Sequence, residues 1–204
     1  NPFPSAIGFA NLKPSAANAM APYGFVLENG QYTIISDIPA LGGRRWIDGW
    51  EGVWLLSDVP GASITALPPG TAPAAVADTP ARVVDGDNWS IPIVARAAGT
   101  TDGCTTVGVS SATGAISVAN PPPLPDMVDV VVHGANGRAL AADLKRKTGN
   151  GITWQFGVVT AAPNVDVELT LPDLSQAPQD LSITLVDVAA GKQLYARTMP
   201  SYVY

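Results

Sequence analysis

Residues 181–204 read LSITLVDVAAGKQLYARTMPSYVY. Leu181, Ile183 and Leu185 alternate with Ser182 and Thr184, the period of a strand with one face buried. Ala189-Ala-Gly-Lys192 reads as a turn, with Gly191 free to take positive φ. Gln193 to Met199 then returns as a partner strand. An isolated hairpin is marginal in water, so this pair needs a larger sheet on which to bury its apolar side.

Working outward, the rest of the chain offers such a sheet. YGFVLENGQYTIIS, from Tyr23 to Ser36, predicts a strand, an Asn29-Gly30 type I′ turn and a returning strand. Residues 1–20, with Pro2, Pro4 and Pro14, read as loop. Ile38 to Asp48 reads as irregular, and Gly52–Leu56 and Ser63–Leu67 as two short strands. Residues 68–80, rich in Pro and Ala, read as a semi-rigid linker. Beyond it, strands are predicted near Arg82–Val84, Trp89–Ala97, Thr105–Val109, Val128–His133, Ala139–Lys147, Ile152–Thr160 and Val165–Leu171, followed by the closing pair. Turn signals separate them, including Asp85-Gly86, Gly99 to Gly103, Asn120 to Pro125 and Asn136-Gly137. The expected fold is therefore all-β: a small barrel-like or hairpin module at 1–67, a linker, and an antiparallel, immunoglobulin-like sandwich at 81–204.

Composition narrows the function. Charged residues make up 14% of the chain and the net charge is -6. The 11 Lys and Arg are too few and too scattered for a phosphate-binding surface, so nucleic acid is not an expected partner. No apolar run approaches the ~18 residues of a membrane span. The single cysteine, Cys104, rules out an internal disulfide but not an extracellular home. The chain opens on Asn1 rather than Met and shows no basic region followed by an apolar core; it reads as processed or as a fragment, with no signal peptide remaining. A surface this poor in charge is expected either to be covered in small polar residues or to be hidden against other subunits.

No catalytic set assembles from the residue types present. His133 has no second histidine with which to hold zinc and reads as a strand-end residue. Cys104 has no neighbouring cation and reads as a small hydrophobe. Ser110-Ser111 lacks the Gly-x-Ser-x-Gly elbow. Asp85-Gly-Asp87-Asn88 offers oxygens to Ca²⁺ but lacks the third ligand and distal Glu of a calcium loop, so an Asx turn is expected. Asn88-Trp89-Ser90 is formally a glycosylation sequon, discounted because Trp89 reads as buried. Asp48 and Glu51 lie close in sequence, but nothing sets a glycosidase separation between them. No catalytic residue, metal or cofactor is assigned. Trp46, Trp50 and Trp54, spaced by four, read either as caps on the first module's core or, with Tyr23, as an aromatic platform for sugar rings.

Asn1-Pro-Phe-Pro-Ser5, Ala17-Asn-Ala19, Tyr23, Gly30-Gln-Tyr32 and Gly52-Val-Trp54 together resemble a module found near the C-terminal ends of secreted bacterial surface proteins, often those exported by the type IX route. Trp89, Asp102, Gly108, Ala112, Pro121-Pro-Pro123, Asp143, Trp154-x-Phe156-x-Val158, Pro178, Leu185-x-Asp187 and Ser201-Tyr202 are similar to the sandwich that follows it. The resemblance implies an extracellular or cell-surface, non-catalytic role. The leading expectation is a structural or interaction module, a subunit of a surface fibre built by strand complementation. Its partners would be copies of itself or other surface proteins, met through sheet edges and through the apolar tail Tyr202-Val-Tyr204, which is expected to pair elsewhere. The alternative is a carbohydrate-binding accessory module of a secreted hydrolase, with polysaccharide as partner.

Overall fold

In the computed structural model, which describes residues 1–69, 86–111, 115–149 and 151–204, the chain is all-β, as its alternating segments predict. It divides into two compact units, Asn1–Arg82 and Val83–Tyr204. Most of the expected linker, the strand near Arg82–Val84, Asp85 and Ala112 lie outside the described residues.

The first unit carries β1 (Ile7–Gly8), β2 (Leu12–Pro14), β3 (Tyr23–Glu28), β4 (Gln31–Ser36), β5 (Trp46–Ile47), β6 (Val53–Leu55) and β7 (Ile64–Ala66). β3 and β4 pair antiparallel across Asn29 at φ 50° and Gly30 at φ 77°, the backbone that a two-residue primed turn requires. β6 adds to the other edge of β3. Residues 1–20 are less irregular than their prolines suggest: β1 pairs with β5, and β2 pairs with β7. These ladders are only two and three residues long. Pro14 is accommodated at the last position of an edge pair, where a missing N–H costs little. Ile7, Phe9, Leu12, Val26, Ile35 and Ile47 form the core of this unit.

The second unit carries β8 (Trp89–Ala97), β9 (Thr100–Val109), β10 (Ile116–Ala119), β11 (Asp129–His133), β12 (Ala139–Lys145), β13 (Phe156–Val159), β14 (Glu168–Thr170), β15 (Thr184–Asp187), β16 (Lys192–Tyr195) and β17 (Ser201–Val203). Eight of them form one sheet in the order β13-β11-β12-β9-β8-β14-β17, with β10 beside β12. Along one edge, β12 pairs first with β11, at Ala139 and Leu140, and then with β9, from Ala142 to Lys145. The sheet therefore turns over on itself at β12. Ile93, Ala95, Val107, Val130, Val132, Leu140 and Leu169 from its two arms share one core. Trp89 and Trp154 meet edge to face at 6.0 Å.

Four sequence expectations need correction here. The β9–β12 pair is parallel, so the unit is not purely antiparallel. The expected turn at Gly99 to Gly103 shrinks to Ala98-Gly99, at φ 48° and 78°, and the strand resumes at Thr100. The closing hairpin forms, with Gly191 at φ 64°, but β15 and β16 make a sheet of their own rather than joining the large one. The Tyr202-Val-Tyr204 tail does not reach elsewhere: Ser201–Val203 pairs with β14.

Side chains of β9 complete the backbone of β11 where the two arms separate. The Val128 N–H donates to Thr100 Oγ1 at 3.0 Å, and the Val130 N–H to Asp102 Oδ2 at 2.7 Å. Thr105 Oγ1 donates to the Val130 carbonyl at 2.8 Å. These bonds satisfy main-chain groups that no strand among the described residues reaches.

Candidate interaction surfaces

The residues that could carry acid–base or nucleophilic chemistry are dispersed or engaged. Burial, then the neighbouring carboxylates of Asp102 and Asp129, push the Cys104 thiol well above its ordinary range. A nucleophile needs the opposite shift. Asp102 spends its carboxylate on the Val130 and Cys104 N–H groups. His133 lies exposed at the end of β11. Asp87 accepts from Lys147 Nζ at 2.7 Å, and Asn88 Oδ1 from the Ser111 amide and hydroxyl. Among the described residues, no group of three or more His, Cys, Asp or Glu converges as metal ligands would, and no helix is long and apolar enough to cross a membrane.

The four aromatic residues singled out in the first unit separate. Tyr23 is 7% exposed and packs edge to face against Phe25, so it offers no surface. Trp46 is half-buried, and the Arg44 guanidinium lies over its ring at 5.6 Å. Arg44, whose position in the sequence gives no hint of this role, is a hub. It pairs with Glu28, with Glu51 at 2.7 Å and with Asp48 at 3.3 Å, and its side chain is 12% exposed. Desolvation lowers its pKa, but the carboxylates of Glu51 and Glu28 outweigh that effect and hold it above its usual value. Trp54, on β6, is 54% exposed, and Trp50 is 72% exposed.

Trp50 occupies a turn closed by the Glu51 N–H on the Asp48 carbonyl at 3.2 Å, and its φ is 63°. The sequence motif at the start of the chain builds this turn. Asn1 Nδ2 donates to the Ile47 carbonyl at 3.0 Å and the Asp48 carbonyl at 2.8 Å. The Trp50 N–H donates to the Phe3 carbonyl at 3.2 Å. Gly49 packs so closely on Pro4 that a Cβ would lie 2.7 Å from the Pro4 carbonyl carbon.

In the second unit, the main path of the large sheet ends in β13 and β17, with β10 attached beside β12 alone. The bonds between His133 N–H and Gln155 carbonyl, and between Val167 and Tyr204 in both directions, fix which groups of each end strand face inward. By antiparallel alternation, Phe156 and Val158 on β13, and Ser201 and Val203 on β17, direct their N–H and C=O groups away from the sheet. Phe156-Gly-Val-Val159 and Ser201-Tyr-Val203 contain no charged residue. Val159 and Val203 are among the exposed large hydrophobic residues.

Tyr202 and Tyr204 stack at 6.1 Å, and the Tyr202 hydroxyl donates to Asp187 Oδ2 at 2.7 Å, latching β17 to the separate hairpin. Lys192 Nζ lies 5.8 Å from the Tyr202 ring. The backbone N–H of Ala190 and then the Tyr202 hydroxyl hold the Asp187 carboxyl below its usual range. The same hydrogen bond raises the Tyr202 phenol. A depressed carboxyl stabilises the fold above its unfolded value, near pH 4, and loses that effect as pH falls through the folded value. A raised phenol stabilises below its unfolded value, near pH 10, and loses that effect as pH rises through the folded one. The latch is therefore expected to hold from about pH 4 to about pH 10 and to open at both ends. The Tyr202 ring resonances followed by NMR across pH would check this; constant shifts at both extremes would contradict it.

Compared with known proteins, the chain matches no family model, no curated protein and no solved structure.

Proposed function

We propose that the protein is a non-catalytic structural or interaction module, working outside the cell or at its surface, that assembles with copies of itself through the end strands of its larger sheet. The observation that carries this reading is the pair of open, uncharged edges, β13 and β17. Soluble proteins ordinarily blunt such edges with Lys, Pro or a covering loop, because unpaired main-chain groups recruit other strands. Here each edge presents two alternate residues, Phe156 and Val158 or Ser201 and Val203, whose main-chain groups face outward. β13 of one copy laid against β17 of the next makes a head-to-tail contact, the kind that propagates unless rotation closes it into a ring. The low charge of the chain and its likeness to secreted surface modules support the same reading. The tail is not a free donor strand; its outer edge is what remains to be paired.

The test is selective removal of one outward N–H. Val158→Pro and Val203→Pro each delete a donor that no strand among the described residues uses, a position at which an edge tolerates proline. Wild-type protein is expected to show concentration-dependent association by sedimentation velocity and linear assemblies by electron microscopy. Both variants are expected to stay monomeric with unchanged far-ultraviolet circular dichroism. A wild-type chain that remains monomeric up to high concentration would overturn the proposal.

A further inference from the structure

We propose that the Asp48–Glu51 turn is a saccharide-binding site on the first unit, with the Trp50 indole as its stacking platform and a neutral glycan as its ligand. This is independent of the sheet edges, which belong to the other unit. Two observations meet at this turn. Trp50 holds φ 63°, a backbone region normally left to Gly or Asn, while its ring is 72% exposed. A bulky residue kept in strain without burying its side chain is not there for packing, and such outliers concentrate at functional sites. The turn is also rigid before any ligand arrives. Asn1, the Phe3 carbonyl, Pro4 and the Arg44–Glu51 pair fix it from beneath. Pre-organisation lowers the entropy lost on binding.

The surroundings select the ligand class. An aromatic hot spot for a protein partner is normally ringed by apolar contacts that exclude water. Around Trp50 the turn supplies Asp48, Gly49, Glu51 and Gly52 instead. An indole face beside carboxylates suits a sugar ring, whose C–H face stacks while its hydroxyls donate at the rim. The Asp48 side chain is 60% exposed and meets Arg44 only through Oδ2, at 3.3 Å, so Oδ1 remains open to a hydroxyl. Glu28, Asp48 and Glu51 set three carboxylates against two cations, the Arg44 guanidinium and the Asn1 ammonium, which donates to the Glu51 carbonyl at 2.6 Å. That negative balance repels acidic polysaccharides and leaves neutral ones.

The experiment is affinity electrophoresis of the full chain through gels containing laminarin, xylan, mannan or polygalacturonate. At least one neutral polymer is expected to slow the wild type, and polygalacturonate is not. Trp50→Gly and Trp50→Asn both suit positive φ and lack the indole; each is expected to weaken retardation about tenfold or more. Trp50→Gly is expected to raise the melting temperature by about 4–8 °C, because it relieves backbone strain in a small unit. Val203→Pro should bind as the wild type does. Failure of every neutral polymer to slow the wild type, or retained binding by both variants, would overturn the proposal. A lower melting temperature for Trp50→Gly would assign the ring to packing and would equally refute it.

Discussion

Gly108→Ala is expected to destabilise the second unit strongly. Gly108 sits in β9, opposite Ser90 of β8 and Leu144 of β12, so it is enclosed by strands on both edges. A Cβ there would lie 2.6 Å from Ser90 Cα and closer still to the Trp89 carbonyl oxygen. The nearest of these atoms are main-chain, which cannot rotate aside as a side chain does. Overpacking by one methyl in a well-packed core typically costs about 1–3 kcal/mol, and a clash with two backbone groups belongs at or above the top of that range. Against a total stability of ~5–15 kcal/mol, this is a large share. Thermal melts followed by Trp89 and Trp154 fluorescence would report it. A variant melting within a degree or two of the wild type would contradict the close packing of β8 on β9.

The second large effect concerns Arg197. Its guanidinium donates to four carbonyls: Leu181 at 3.1 Å, Leu174 at 3.3 Å, Ala177 at 3.4 Å, and Pro178. None of the ion pairs among the described residues includes it. It therefore serves as a staple for the segment from 174 to 181, which has only a single turn of 3₁₀ helix, Leu174–Gln176, to organise it. Hydrogen bonds to a charged donor contribute about 1.5–3 kcal/mol each and do not add fully. Arg197→Met is expected to cost roughly 3 kcal/mol overall, felt first as local opening. Hydrogen exchange across 172–183 should rise sharply while β8 and β9 stay protected. Arg197→Lys should not rescue it, because an ammonium cannot present a planar fork to carbonyls on several sides. Unchanged exchange in Arg197→Met would show that the segment holds itself.

What the sequence disclosed about this fold tracks how local each cause is. Asn29-Gly30 and Asn136-Gly137 announce their turns because few residues tolerate that backbone, and both hairpins lie where those pairs put them. Ala98 leaves no such mark: alanine rarely adopts φ 48°, so the tighter turn before Thr100 is invisible until the strands are seen to demand it. β1, β2 and β5 escape notice because ladders of two or three residues have no period to detect, and nearby prolines argue against them. Ile116–Ala119 is short for the same reason. The parallel β9–β12 pairing is set by residues far apart in the chain and has no local signature. At the surfaces, the spacing of Trp46, Trp50 and Trp54 marked out one stretch of the first unit. It could not separate a ring covered by Arg44 from one held out on a strained turn, because that depends on Glu28, Glu51 and Asn1 arriving from elsewhere.

The change of partner along β12 has a kinetic consequence. The β8–β9 and β11–β12 hairpins each close over short loops, and can form early and separately. Joining them requires Thr106 to find Ala142, 36 positions later, and the ladder runs parallel, so no tight turn guides the encounter. That search, like the longer one that brings Leu169 back to Ala95 of β8, surrenders chain entropy before its contacts form and is expected to slow folding of the unit. Until it is complete, both hairpins expose apolar flanks and unpaired margins to any neighbouring chain. Slow maturation would then leave a newly made molecule open to mispairing well before its finished edges are in place.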